Sequence, residues 1–193
     1  VCNKNSIDGL THPVCRSQYV IDGVFSSLAY KGIVKKLVHS FKYPPYITDI
    51  QSVLIDLFYE GIIQKELFYP LLAEKSLFIP IPLHPTRFRK RGYNQAQLLA
   101  SGLGKRFDLL ILSCLQRIKY TKTQVGLSKE ERRENIKGAF ALKSDSKEKI
   151  THYSHIFLID DVTTSGATLR EAARVLKQAG AKHVWGLTLA HGE

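Results

Sequence analysis

"HIFLIDDVTTSGATL", His155 to Leu169, decides how this chain is read. Four apolar residues, Ile156 to Ile159, run into Asp160 and Asp161, and then into a hydroxyl-rich turn closed by Gly166. A continuous apolar run of this length, without polar alternation, is the mark of a strand buried on both faces. From Ala167 the apolar spacing changes to a period near 3.6, with Leu169, Ala172, Ala173, Leu176 and Ala179 on one face and Gly180 as a C-terminal stop. Val184 to Ala190 then reads as a second strand. The spacing predicts a strand–loop–helix–strand unit long enough for a right-handed parallel crossover.

A loop between the carboxyl end of a parallel strand and a helix is where open α/β sheets bind ligands. The helix start offers free N–H groups and the positive end of its dipole to an anion. Thr163, Thr164, Ser165 and Thr168 add hydroxyls, and Gly166 lets the backbone approach closely. Adjacent carboxylates repel, so Asp160 and Asp161 need partners that donate hydrogen bonds or bring positive charge. Two vicinal ribose hydroxyls would suit them, as would hydrated Mg²⁺. An N-capping aspartate before an ordinary Ser/Thr turn explains the pair alone as well. The whole run fits a sugar phosphate better.

Outward from this unit, "IPIPLHPTRFRKRGYNQAQLLA", Ile79 to Ala100, repeats the strand–loop–helix pattern. Leu77 to Pro82 reads as a buried strand, followed by a basic loop stiffened by Pro80, Pro82 and Pro85, then by a helix from Asn94 to Phe107. Between Lys75 and Phe107 there are seven Lys or Arg and no acid, four of them between Arg87 and Arg91. Arginine forks match phosphate oxygens, although a solvated basic loop has the same composition. Val20 to Tyr30 reads as β structure, Gly32 to Phe41 as a helix stopped by Pro44-Pro45, and Ile47 to Phe68 as a second helix weakened at Gly61. Leu109 to Ile118 looks β-rich, Tyr120 to Gly138 a long mobile loop, Gly138 to Lys143 a strand, and Asp145 to Tyr153 a polar connector.

Composition sets the outer limits. The 193 residues suit one α/β domain with a small appendage. No apolar run approaches the ~18–20 residues of a membrane span. Three cysteines do not make a disulfide framework, and a cytoplasmic location is expected. Val1 as first residue, with no methionine in the chain, suggests a trimmed start. A net charge of +11 suits phosphate or nucleic-acid partners. The chain has no G-x-x-x-x-G-K-[ST] motif, and Gly102 and Gly104 in "SGLGKR" lie inside a predicted helix rather than after a strand.

"FLIDDVTTSGAT" resembles the signature of the type I phosphoribosyltransferases. "PLHP" followed by "RGYNQA", and "KTQVGLSKEERRENIKGAF" from Lys122 to Phe140, resemble the ComF family of phosphoribosyltransferase-like proteins, linked in bacteria to DNA uptake in natural competence. The resemblance implies a mostly parallel sheet flanked by helices, with an N-terminal hood. It implies phosphoribosyl pyrophosphate as ligand, with Mg²⁺. Asp160 and Asp161 would then serve the ribose hydroxyls, and Val162, Thr163, Thr164, Ser165, Gly166, Ala167 and Thr168 the 5-phosphate. Leu83, His84, Arg87, Arg89 and Arg91 would hold the pyrophosphate. Lys122, Arg132 and Arg133 would come from a loop that closes over it.

The ComF family often begins with a four-cysteine zinc ribbon. His12-Pro13-Val14-Cys15 has zinc-ligand spacing, so Cys2, His12 and Cys15 are candidate Zn²⁺ ligands lacking a fourth. Ordinary thiols are the alternative. Residues 1–19 are accordingly read as a truncated ribbon segment and 20–193 as the phosphoribosyltransferase-like domain. Cys114 is expected in the core, His39 and His152 receive no role, and Tyr43, Tyr46, Phe58, Tyr59, Phe68 and Tyr69 are expected to pack rather than to stack on bases. Three functions follow: phosphoribosyl transfer, a single-stranded DNA-binding or ligand-sensing module with little transferase activity alongside other DNA-uptake proteins, and nucleobase salvage. No base-recognition segment supports the third.

Overall fold

The computed structural model describes residues 9–43, 50–66, 68–73, 75–121 and 128–192. Its centre is a five-stranded sheet, parallel throughout. The strands are β1 (Gly23–Ala29), β2 (Ser76–Pro80), β3 (Leu110–Ile111), β6 (His155–Thr163) and β7 (His183–His191), in the order β1-β7-β6-β2-β3. A separate antiparallel pair joins β4 (Leu115–Arg117) to β5 (Phe140–Leu142). The helices are α1 (Gly32–Lys42), α2 (Ile50–Ile63), α3 (Phe68–Ala73), α4 (Pro85–Arg91), α5 (Gln95–Phe107), α6 (Lys129–Ile136), α7 (Lys147–Thr151) and α8 (Ala167–Gln178).

The apolar run of β6 is explained by two cores. Strand side chains alternate, and both faces here are covered. Ile156 and Leu158 join Leu169, Ala172, Ala173 and Leu176 of α8 on one face. Phe157 and Ile159 join Leu54 and Phe58 of α2 and Leu99 and Leu103 of α5 on the other. The predicted β6–α8–β7 unit is present, with β6 and β7 paired from His155↔His183 to Thr163↔His191. The strand therefore runs three residues beyond Asp160, because β7 offers partners that far.

Several expectations need correction. The segment Ile47–Phe68 is not one helix. Among the described residues α2 spans Ile50–Ile63 and α3 starts at Phe68, and both pack on the sheet face. Gly61 is not a weak point but a contact. A Cβ there would lie 2.4 Å from Ser27 Cβ on β1. The basic "loop" is α4, begun by His84 as N-cap and Pro85 at its first position. The expected loop after Tyr120 contains α6, whose Ser128 and Glu131 form a reciprocal capping box. The polar connector holds α7. Cys114 and the rings of Phe58 and Phe68 lie in the core as expected; Tyr46 is outside the described residues. Tyr43 and Tyr69 are exposed, His39 stacks at 4.8 Å on Tyr43, and His152 Nδ1 lies 2.7 Å from the Glu148 carbonyl.

Candidate active site

The strand order places the site. From β6 the sheet continues through β7, and from β2 through β3, so adjacent strands lead the chain in opposite directions. Such a switch point leaves a crevice at the carboxyl ends of the strands. Ile81 N donates to the Ile159 carbonyl at 2.9 Å, the last rung joining the two walls. Beyond it opens a cleft of about 1340 Å³, lined by Pro82 and Leu83 from one strand end and Asp160, Asp161 and Val162 from the other.

Asp161 is buried and Asp160 half-buried. Asp161 N donates to Asp160 Oδ1 at 2.9 Å, and Val162 N to Asp161 Oδ1 at 2.6 Å. The last residue of α1, Lys42, places Nζ 2.7 Å from Asp161 Oδ1. Burial works against that ammonium, but the carboxylates of Asp161 and Asp160 outweigh it and keep its pKa above the ordinary value. One ammonium does not satisfy two acids. Burial, then the charge of Asp161, pushes Asp160 up to about 7 against the pull of Lys42 and Arg117.

A basic wall faces the acids. Arg87 of α4 donates from Nη2 to the Thr121 carbonyl at 2.7 Å, and its guanidinium stands 5.6 Å from the Tyr120 ring centre. Arg117 of β4 donates from Nη2 to Thr121 Oγ1 at 2.5 Å. Its residue is only 8% exposed and its Nε has no hydrogen-bond partner. Burial and the neighbouring Arg87 push Arg117 down to about 10, so it stays charged at neutral pH. A buried guanidinium with an unused donor is ready for an anion. Arg132 of α6 also lines the cleft.

The turn after Asp161 straddles two cavities. Thr164 and Thr168 line the main cleft. Thr163, Ser165 and Gly166 face a second cavity of about 470 Å³, which Thr164 also lines. Gly166 takes a left-handed φ of 70° and begins α8 with no side-chain cap, leaving first-turn N–H groups available. Ser165 Oγ is buried without a partner, while Arg170 Nη2 donates to the Ser165 carbonyl. The orphaned hydroxyl beside an uncapped helix start fits a phosphate.

Not every expected residue is there. Ala167 packs into the core. Arg89 is exposed on the outer side of α4 and does not line the cleft. His84 spends its ring on capping, with Nδ1 accepting from Thr86 N at 3.3 Å, and meets Tyr120 edge-on. Arg133 is exposed and its charge acts on Arg170 instead. A helix turns successive residues 100° apart, so only some residues of α4 and α6 can face the ligand. Lys122 and Cys2 lie outside the described residues. His12 and Cys15 flank one 3₁₀ turn and line the second cavity. Among the described residues, no three His, Cys, Asp or Glu side chains gather to hold a metal.

Comparison with known proteins agrees with this geometry. A family model described as "Phosphoribosyl transferase domain" matches residues 89–191, more than half of the chain. The chain belongs to that family. The phosphoribosyl transferase domain match runs from within α4 into β7, and so includes the Asp pair, Arg117 and Arg132, but not α1 with Lys42. The chain is 42% identical over 113 residues to "Competence protein F" of Haemophilus influenzae, covering 57% of this chain and 48% of that protein. It is 34% identical over 110 residues to "DNA utilization protein YhgH" of Escherichia coli K12, covering 55% and 46%. It is 33% identical over 104 residues to "Competence protein ComFC" of Streptococcus pneumoniae, covering 54% and 43%. These relatives bear out the ComF resemblance. The chain spans about half the length of the curated relatives it matches.

Lys42, Arg117 and Tyr120 are among the cleft residues that sequence reasoning missed. Arg117 left a signal: it shares strand phase with buried Leu115, and a charge in core phase needs a reason. Lys42 left none, because only the packing of α1 turns it toward Asp161.

Proposed function

We propose that this chain binds phosphoribosyl pyrophosphate and transfers its phosphoribosyl group, in a ComF-type role in DNA uptake. The observation that carries the reading is a single cleft in which two acids of β6, one of them raised to about 7, face the buried Arg117 and the half-buried Arg87. The ribose hydroxyls donate to Asp160 and Asp161, replacing part of the Lys42 contact. The 5-phosphate takes Ser165 Oγ, the hydroxyls of Thr164 and Thr168, and the N–H groups at the start of α8. The pyrophosphate takes Arg87, Arg117 and Arg132.

Asp160 and Asp161 are the residues suited to hold Mg²⁺, which takes one or two carboxylates together with substrate oxygens. Its chemistry there is neutralisation of the pyrophosphate charge. In the transfer, the acceptor's attacking atom gives its lone pair to the anomeric carbon. The bond from that carbon to the pyrophosphate oxygen breaks, its electron pair leaves with pyrophosphate, and the acceptor's proton passes to solvent. This chain contributes positioning and charge stabilisation. The test is calorimetry with phosphoribosyl pyrophosphate and Mg²⁺ on the wild type and on Asp160→Asn/Asp161→Asn. Loss of about a hundredfold or more in affinity is expected; equal binding by both proteins rejects the assignment.

A second reading has its own observation. The outer side of α4 exposes Phe88, at 48%, beside Arg89, and neither lines the cleft. An exposed ring beside a guanidinium suits single-stranded DNA, through stacking and phosphate contact. It is compatible with the first reading, because it uses the opposite side of the helix.

A further inference from the structure

The cations lining the cleft fall into two groups. Arg87, Arg117 and Arg132 come from the side assigned to pyrophosphate. Lys31 and Lys35 come from the start of α1, and Lys90 and Arg91 from the end of α4. Arg87 and Arg91 are one helical turn apart, yet they are held apart by different partners. Arg87 is fixed by Thr121 and Tyr120, whereas Arg91 Nη1 donates to Gln95 Oε1 at 2.7 Å and its guanidinium stands 5.5 Å from the Tyr43 ring centre. Among the described residues no ion pair joins Lys31, Lys35, Lys90 or Arg91 to a carboxylate. The acids that line the cleft, Asp160 and Asp161, already face Lys42.

Four positive charges lining one cleft without a carboxylate partner gain nothing from a neutral acceptor. They gain from an anion. We propose that the acceptor carries a phosphate of its own, held by the cations that α1 and α4 present to the cleft, Lys31, Lys35, Lys90 and Arg91. The proposal rests on the transferase reading for the reaction, and on these side chains alone for the anion. The substitution at the anomeric carbon is the one written above, and the acceptor's phosphate takes no part in bond making.

The test is calorimetry on the full chain saturated with phosphoribosyl pyrophosphate and Mg²⁺, titrated with thymidine 5′-monophosphate and, separately, with thymidine. The monophosphate is expected to bind about tenfold tighter or more. Lys35→Gln/Lys90→Gln is expected to remove that advantage while changing phosphoribosyl pyrophosphate affinity less than about twofold. Both lysines are exposed, and circular dichroism checks that the variant keeps its fold. Equal binding of the two probes, or a variant that binds the monophosphate as tightly as the wild type, overturns the proposal. So does an oligothymidylate that binds through these lysines when the monophosphate does not, which would assign these cations to nucleic acid. If phosphoribosyl pyrophosphate fails to bind but the monophosphate still depends on Lys35 and Lys90, the anion site stands and the transferase reading falls.

Discussion

At Asp160 the fold keeps a carboxyl group where burial and a neighbouring charge both favour its neutral form. That has a consequence for stability. The group sits near 7 in the native protein against an ordinary 3.8. Between these values the native state binds more protons than the unfolded chain, so this residue's contribution falls as pH rises through the window. Asp160→Asn removes the penalty. The variant should be more stable than the wild type by on the order of 2 kcal/mol at pH 8, with the gain fading toward pH 4. Urea denaturation at the two pH values checks it, and a variant less stable at pH 8 would refute the electrostatic account. The aspartates were legible as a candidate site because their apolar lead-in and following turn are local features. The state of charge of Asp160 was not, since it depends first on burial by the packed fold and then on Asp161, against the pull of Lys42 and Arg117 from distant parts of the sequence.

Elements set the spacing on which the cleft depends. Helix α2 lies against β1 because Gly61 has no side chain where Ser27 stands. Gly61→Ala gains about 1 kcal/mol of helix propensity but must push the two elements apart, with a Cβ 2.4 Å from Ser27 Cβ. A net loss of about 1–2 kcal/mol is expected, partly recovered in Ser27→Gly/Gly61→Ala. Thermal denaturation of the three proteins tests this, and an unchanged melting temperature in Gly61→Ala would contradict the contact. Helices α4 and α6 went unread although their start signals were present: Pro85 after His84, and Ser128 followed by Glu131. Their high charge masked the apolar periodicity by which helices are recognised.

On the scale of the molecule, a net charge of +11 surrounds a cleft and a separate outer ridge on α4. If the ridge takes single-stranded DNA, affinity must fall steeply with salt, because bound phosphates release counterions. Phe88→Ala/Arg89→Ala should weaken oligothymidylate binding by roughly tenfold or more and flatten the salt dependence, leaving phosphoribosyl pyrophosphate binding intact. Fluorescence anisotropy at several salt concentrations decides this, and binding indifferent to both salt and mutation would rule the ridge out. Among the described residues no helix is long and apolar enough to cross a membrane.

Read alone, the chain determined the β6–α8–β7 unit, its acidic strand end and its hydroxyl turn, because each is written in consecutive residues and needs only local periodicity and backbone chemistry. The sheet order decided the rest. By setting β2 beside β6 it opened the crevice between their ends, and by carrying α1 and β4 to its rim it brought Lys42 and Arg117 to the acids. Those meetings arise from burying two faces of one sheet at once, a condition on the whole packing that no short stretch of sequence contains.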